Sequence, residues 1–197
     1  KTYVTKKRGL TDVEFKDHVE NLLALQKRFG SEHKSGAVAH GDRLGAVLAS
    51  HDDTTADHVA TSATNGVGFA EFPTTIEAAQ ACRAHGIAVM MGAPNLIRGE
   101  SHSGNVAAQD LAQADLLDIV SSDYVPSALL LSAFRLAEIW NDLPRGISTV
   151  TSNPAHAVQL VDRGALKKGL RGDVLRACKL GNIPLLRGVW SQGNKVS

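Results

Sequence analysis

A chain of 197 residues is long enough for one large domain, and its composition is that of an ordinary globular protein. Its 21 basic and 20 acidic side chains leave a formal charge of +1, too small a field to recruit nucleic acid or a membrane surface. With aromatics at 5% there is no basic-aromatic stripe for stacking bases, and no apolar run reaches the roughly 20 residues of a bilayer span.

The basic start (Lys1, Lys6, Lys7, Arg8) leads into no apolar core, so it is not read as a signal peptide. Its first residue is Lys rather than Met, which leads us to expect a processed or partial chain. Cys82 in a helical pattern and Cys178 in a strand pattern read as reduced, buried thiols, and a cytoplasmic location is expected.

Thr11-Asp12-Val13-Glu14 has the form of a capping box. Phe15, Val19, Leu22, Leu23 and Phe29 then recur at helical spacing, and Gly30 predicts the stop. A second, weaker helix is predicted over His33 to Arg43. From Ala46 the pattern becomes regular. A strand over Ala46 to Ser50 runs into His51-Asp52-Asp53, with Asp53 read as the cap of a helix from Ala56 to Thr64. The second strand, Val67 to Phe72, stops at Pro73, and Thr74-Thr75-Ile76-Glu77 predicts a capping box for a helix to His85. The third strand, Ile87 to Gly92, leads into Ala93-Pro94-Asn95 and a polar loop over Arg98 to Asn105, before a helix to Gln113. The fourth strand, Leu117 to Ser122, ends at Asp123, and a helix runs from Pro126 to Trp140. Asn153-Pro154 predicts a short capped helix; Asp173 to Cys178 and Leu185 to Trp190 read as strands, with a tight turn at Gln192-Gly193-Asn194.

Strand ends spaced by roughly 20 to 30 residues describe successive βα units, in a doubly wound sheet or a β/α barrel. No glycine-rich phosphate turn follows any of these strands, so nucleotide binding loses its main support. Three strands end on ionisable residues, at His51, Glu71 and Asp123. In a β/α barrel the C-terminal strand ends form the active-site face, so such residues read as catalytic or metal-binding.

The strand-end pattern and the tail together resemble the amidohydrolase superfamily. The tail is Thr151-Ser152-Asn153-Pro154-Ala155 and Arg163-Gly164-Ala165-Leu166-Lys167-Lys168-Gly169-Leu170-Arg171-Gly172-Asp173-Val174, with Gly172 where Ala is usual. Five internal motifs narrow the resemblance to that superfamily's diphosphatases of phosphonate metabolism. They are Ser50-His51-Asp52-Asp53, Ala70-Glu71-Phe72-Pro73, Met91-Gly92-Ala93-Pro94-Asn95, Ser101-His102-Ser103-Gly104-Asn105 and Ser121-Ser122-Asp123-Tyr124.

The resemblance implies an α/β fold: the C-terminal half of a TIM-like (β/α)8 metal-dependent hydrolase barrel plus a small β-sandwich element. Residues 1–150 would hold barrel strands five to eight and residues 151–197 a helix and the sandwich portion. The H-x-H pair expected on the first barrel strand occurs nowhere in the chain, which again leads us to expect a partial chain, or a homo-oligomer that closes the barrel.

By the same resemblance His51, Glu71 and Asp123 are ligands of a divalent metal ion (Zn, Mn or Mg), and Asp123 is also the general base. A carboxylate at Glu71 would shift the preference toward the harder Mn²⁺ or Mg²⁺. The loop residues Arg98, His102, Ser103 and Asn105 combine a guanidinium, an imidazole and amides suited to phosphate oxygens. The implied substrate is a small phosphorylated ribose carrying a 5-triphosphate, cleaved to the 5-phosphate and pyrophosphate. Hydrolysis of a cyclic amide and a catalytically inert fragment are the alternatives.

Overall fold

The computed structural model describes residues 9–101 and 104–197. Lys1, Lys6, Lys7, Arg8, His102 and Ser103 lie outside the described residues. The chain divides into two compact units, Lys1–Ala46 and Val47–Ser197.

Among the described residues the first unit holds one helix, α1 (Asp12–Leu44). Its start is the predicted capping box: Thr11 Oγ1 accepts from the Glu14 N–H at 3.3 Å, and Glu14 Oε2 accepts from the Thr11 N–H at 2.8 Å. The predicted stop at Gly30 is corrected. Glycine in a helix interior costs only about 1 kcal/mol against alanine, so it ends a helix only where the chain also turns into the left-handed region. That happens at Gly45, with φ 63°, and the two predicted helices are one.

The second unit contains a parallel sheet in the order β1 (Leu48–His51), β2 (Val67–Glu71), β3 (Ala88–Gly92), β4 (Ile119–Ser121). All three pairings are parallel, with His51 opposite Glu71 and Gly92 opposite Ser121. Helices α2 (Ala56–Thr64) and α3 (Ile76–Ala84) are the crossovers. Past β3 come α4 (Ala93–Arg98) and α5 (Ala108–Gln113), and past β4 come α6 (Ala128–Trp140), α7 (Leu143–Ser148) and α8 (Ser152–Ala157). The core is one cluster of Ala70, Val89, Met91 and Val120 from the strands with Val59, Ala78, Ala79, Cys82, Leu111 and Leu136 from the helices.

Several local expectations shift. Thr55, not Asp53, caps α2 through the His58 N–H, leaving Asp53 buried against the Ser62 hydroxyl at 3.3 Å. Thr75 rather than Thr74 caps α3, and Glu77 accepts instead from the Ala56 N–H at 2.9 Å, tying α3 to the start of α2. Ala93-Pro94-Asn95, where the sequence reads the third strand as ending, opens α4 (Ala93–Arg98), since proline suits a first helical turn. Asn153 caps nothing; its Nδ2 donates to the Asp118 carbonyl at 2.8 Å. Cys82 is buried, and burial, with Asp53 and Asp118 nearby, pushes its thiol up to about 11. Cys178 is exposed, contrary to expectation, because it lies on an open face of the second sheet.

That sheet is an antiparallel meander of β5 (Val174–Leu180), β6 (Ile183–Ser191) and β7 (Asn194–Lys195). Gln192 and Gly193 close the last hairpin with φ 51° and 81°, as a two-residue turn with both residues left-handed requires. Asp173 accepts from the Gln192 N–H at 2.9 Å and Gly172 O from the Gly193 N–H at 2.8 Å, so the tail motif grips this turn.

Candidate active site at the strand ends

The C-terminal ends of the parallel strands share one construction. Directly after β1 and β2 the ladder makes one more bond, Asp52 N–H to Glu71 O at 3.0 Å and Phe72 N–H to Met90 O at 2.9 Å. The chain then turns through left-handed residues, Asp52 at φ 60° and Phe72 at φ 57°; Asp123, after β4, repeats this at φ 50°. Non-glycine residues in this region cost of order 1–3 kcal/mol each and gather at functional sites. No sequence pattern announces them.

His51 and Glu71 are brought together. His51 Nδ1 lies 3.0 Å from Asp52 Oδ2, and Nε2 lies 4.0 Å from Glu71 Oε2. The Phe72 ring meets the imidazole edge-on at 5.3 Å between centroids. Asp123 stands on the far side of β3, separated from β2 by that whole strand. Its carboxylate occupies space left by Gly92: a Cβ there would lie 2.8 Å from Asp123 Oδ2. Among the described residues no three His, Cys, Asp or Glu side chains converge as a metal-holding group. The three expected ligands are thus a facing pair and a separate carboxylate.

A cavity of about 200 Å³ opens beside Asp123. It is lined by Asp52, Arg98, Glu100, Asn105, Asp123 and Tyr124, among others. Arg98, at the end of α4, donates to the Tyr124 hydroxyl at 3.4 Å. Asn95 pins the loop that carries Asn105: its Oδ1 accepts from the Ala108 N–H at 2.9 Å and its Nδ2 donates to the Val106 carbonyl at 3.4 Å. The bond from Ala108 thus takes up an N–H at the start of α5. Of the expected phosphate group, Arg98 and Asn105 line the cavity, while His102 and Ser103 lie outside the described residues. The lining residues missed from sequence are Glu100 and Tyr124; each sits in or beside one of the five motifs, but only the tertiary fold brings it to the cavity.

No family model matches the chain. Among curated proteins it is 47% identical over 197 residues to the alpha-D-ribose 1-methylphosphonate 5-triphosphate diphosphatase of Escherichia coli (strain K12), taking in 98% of this chain and 52% of that protein. The chain therefore spans about half the length of the curated relative it matches. The resemblance read from the motifs, to the C-terminal half of such a protein, stands on this match. Two solved structures are similar in fold. A prolidase complexed with N-methylphosphonate-L-proline superposes with a TM-score of 0.63 at 16% identity, covering 81% of this chain and 47% of that one. The A. niger ochratoxinase gives 0.56 at 14%, covering 80% and 43%. At such identities the likeness is one of fold alone: the parallel sheet and the separate antiparallel sheet are those of amidohydrolase-fold proteins. No described helix is long and apolar enough to cross a membrane.

Proposed function

We propose that this chain forms the C-terminal half of a metal-dependent diphosphatase that hydrolyses α-D-ribose 1-methylphosphonate 5-triphosphate to the 5-phosphate and pyrophosphate. The observation that carries the reading is the 47% identity across 98% of the chain. The strand-end cavity supports it, since its lining residues Asp52, Asn95, Asn105 and Asp123 come from motifs that bear the resemblance.

The chain's own residues divide the work. Arg98, held at Tyr124, and Asn105, on the loop pinned by Asn95, bind phosphate oxygens. Asp123, seated in the space left by Gly92, accepts a proton from the attacking water. His51 and Glu71, 4.0 Å apart, suit a divalent cation as two donors, and a catalytic site of three protein ligands needs at least one more from outside these residues. Such a cation supplies Lewis acidity and positive charge against the polyphosphate. Charge balance supports the need for it: Asp52, Glu100 and Asp123 outnumber Arg98 around the cavity, an unfavourable setting for a bare triphosphate. The cavity volume of about 200 Å³ is below the usual ligand-pocket range, in keeping with half of a larger site.

The test is phosphorus NMR with Mn²⁺ and the triphosphate. The samples are this chain alone and this chain fused to the part of the E. coli relative that it does not match. Pyrophosphate release by the fusion, reduced at least 100-fold by Asp123→Asn, is the expected result. A fusion that folds and binds Mn²⁺ but releases no pyrophosphate, or one whose activity survives Asp123→Asn, refutes the proposal.

A further inference from the structure

The proposed hydrolysis gives Asp52 no step, yet its carboxylate meets the ring nitrogen of His51 that Glu71 does not. Asp52 Oδ2 lies 3.0 Å from His51 Nδ1, a hydrogen-bond distance, whereas Glu71 Oε2 lies 4.0 Å from Nε2, too far for one. An ionised carboxylate only accepts, so the nitrogen that meets Asp52 carries the hydrogen. Nδ1–H donates to Asp52, and the neutral ring keeps its lone pair on Nε2, on the Glu71 side. Two lone-pair donors then face each other, which suits a cation.

The main chain sets this contact. Asp52 stands in the left-handed region at φ 60°, its N–H donates to the Glu71 carbonyl at 3.0 Å, and its own carbonyl accepts from Thr54 Oγ1 at 3.2 Å. Both backbone polar groups are engaged, and the short side chain reaches back to the imidazole just before it. The Phe72 ring stands edge-on to that imidazole at 5.3 Å between centroids. Burial does not do the same work: the His51 side chain is 56% exposed, so water could serve either nitrogen. The charged partner at Nδ1 is what distinguishes the two.

We infer that Asp52 is a positioning residue: it holds His51 as the Nδ1–H tautomer and so presents Nε2, beside the Glu71 carboxylate, as the donor to a divalent cation. The donor role rests on the diphosphatase reading; the tautomer does not. A carboxylate on the far nitrogen of a ligating histidine fixes the ring and raises its basicity, and losing such a partner costs about 10- to 100-fold in metal affinity.

Long-range proton–nitrogen NMR of the 197-residue chain, at about pH 8.5, above the ordinary imidazole range, reads which His51 nitrogen carries the proton. His51→Gln assigns its signals among the eight histidines. The wild type is expected to show Nδ1–H as the dominant tautomer. Asp52→Asn and Asp52→Gly are the variants, because both residues tolerate a left-handed backbone. An amide donates as well as accepts, and glycine offers no side chain, so each is expected to give a mixture of tautomers. In the fusion to the unmatched part of the E. coli relative, electron paramagnetic resonance of free Mn²⁺ is expected to show binding weakened about 10- to 100-fold by either variant. A wild type with Nε2–H dominant, or a tautomer that ignores both substitutions, overturns the inference. Unchanged Mn²⁺ affinity in a fusion that does bind Mn²⁺ overturns the donor role. A fusion that binds no Mn²⁺ removes that role together with the diphosphatase reading, and the tautomer still decides whether Asp52 orients His51.

Discussion

Gly92→Ala probes how Asp123 is held. Gly92 lies at φ −77° and ψ 134°, extended backbone that alanine adopts without strain. On backbone entropy alone the substitution would stabilise the fold by about 0.4–1 kcal/mol. The added Cβ, however, falls 2.8 Å from Asp123 Oδ2, 3.4 Å from its Cβ and 3.5 Å from its Cγ. Restoring ordinary contact requires the carboxylate oxygen to retreat by roughly 0.6 Å. The Asp123 backbone is already confined to the left-handed region at φ 50°, so the retreat falls on χ1 and costs about 0.5–1.5 kcal/mol. The two terms nearly cancel, and Gly92→Ala alone is expected to change stability by less than about 1 kcal/mol. In an Asp123→Ala background the clash is gone, and the same substitution should stabilise by about 0.4–1 kcal/mol. Urea unfolding of the four proteins in this cycle reads the difference, an expected coupling of about 1 kcal/mol. Equal effects in both backgrounds would show that the Asp123 carboxylate does not occupy the space Gly92 leaves, and the account of its positioning would fail.

Gly146→Ala should be more damaging. Its Cβ would lie 2.7 Å from both the Cβ and the backbone nitrogen of Ala137, where α7 packs on α6, and backbone cannot yield; a loss of about 2–3 kcal/mol in chemical denaturation is expected. Gly36→Ala on α1 is the contrast: nothing lies within 4 Å of its Cβ, and a gain of about 0.5–1 kcal/mol in helix stability is expected, read by thermal melting. Gly172→Ala, the residue usual in the resembled tail motif, would put a Cβ 2.9 Å from Gly193 N, and should cost about 1–2 kcal/mol unless the β6–β7 turn shifts. The Gln192 N–H, and then Arg171, hold the Asp173 carboxyl below its ordinary value. A depressed folded pKa gives stability that is present above the unfolded value of about 4 and lost as pH falls through the lower folded value. Asp173→Asn should therefore flatten the acid side of the stability–pH curve, as followed by urea midpoints between neutral pH and the acid limb.

Much of the fold is legible in the chain because its determinants are local. Strands β1 to β4 are short apolar runs between turn residues, and α2 lies where its pattern predicts. The Thr11–Glu14 box closes as expected because both partners belong to one helical turn. Reading fails where a residue has a rival partner far away in the chain. Glu77 finds the Ala56 N–H, Asn153 finds the Asp118 carbonyl, and Asp53 finds Ser62. A cap read from spacing is a competition, and the distant competitor is invisible in a local window.

The candidate site divides in the same way. Chain order alone places His51, Glu71 and Asp123 at strand ends, because a strand's apolar run and its polar stop are contiguous. Which of these ends meet is a property of strand order and register. The sheet order sets His51 opposite Glu71 and interposes β3 before Asp123. Left-handed turns at Asp52, Phe72 and Asp123, and the space left by Gly92, then aim the side chains. Periodicity and residue type determine the elements and the chemistry available at their ends, since both act over a few residues. Only the packed sheet decides which of those chemistries share a site, since that depends on contacts between strands some 20 residues or more apart.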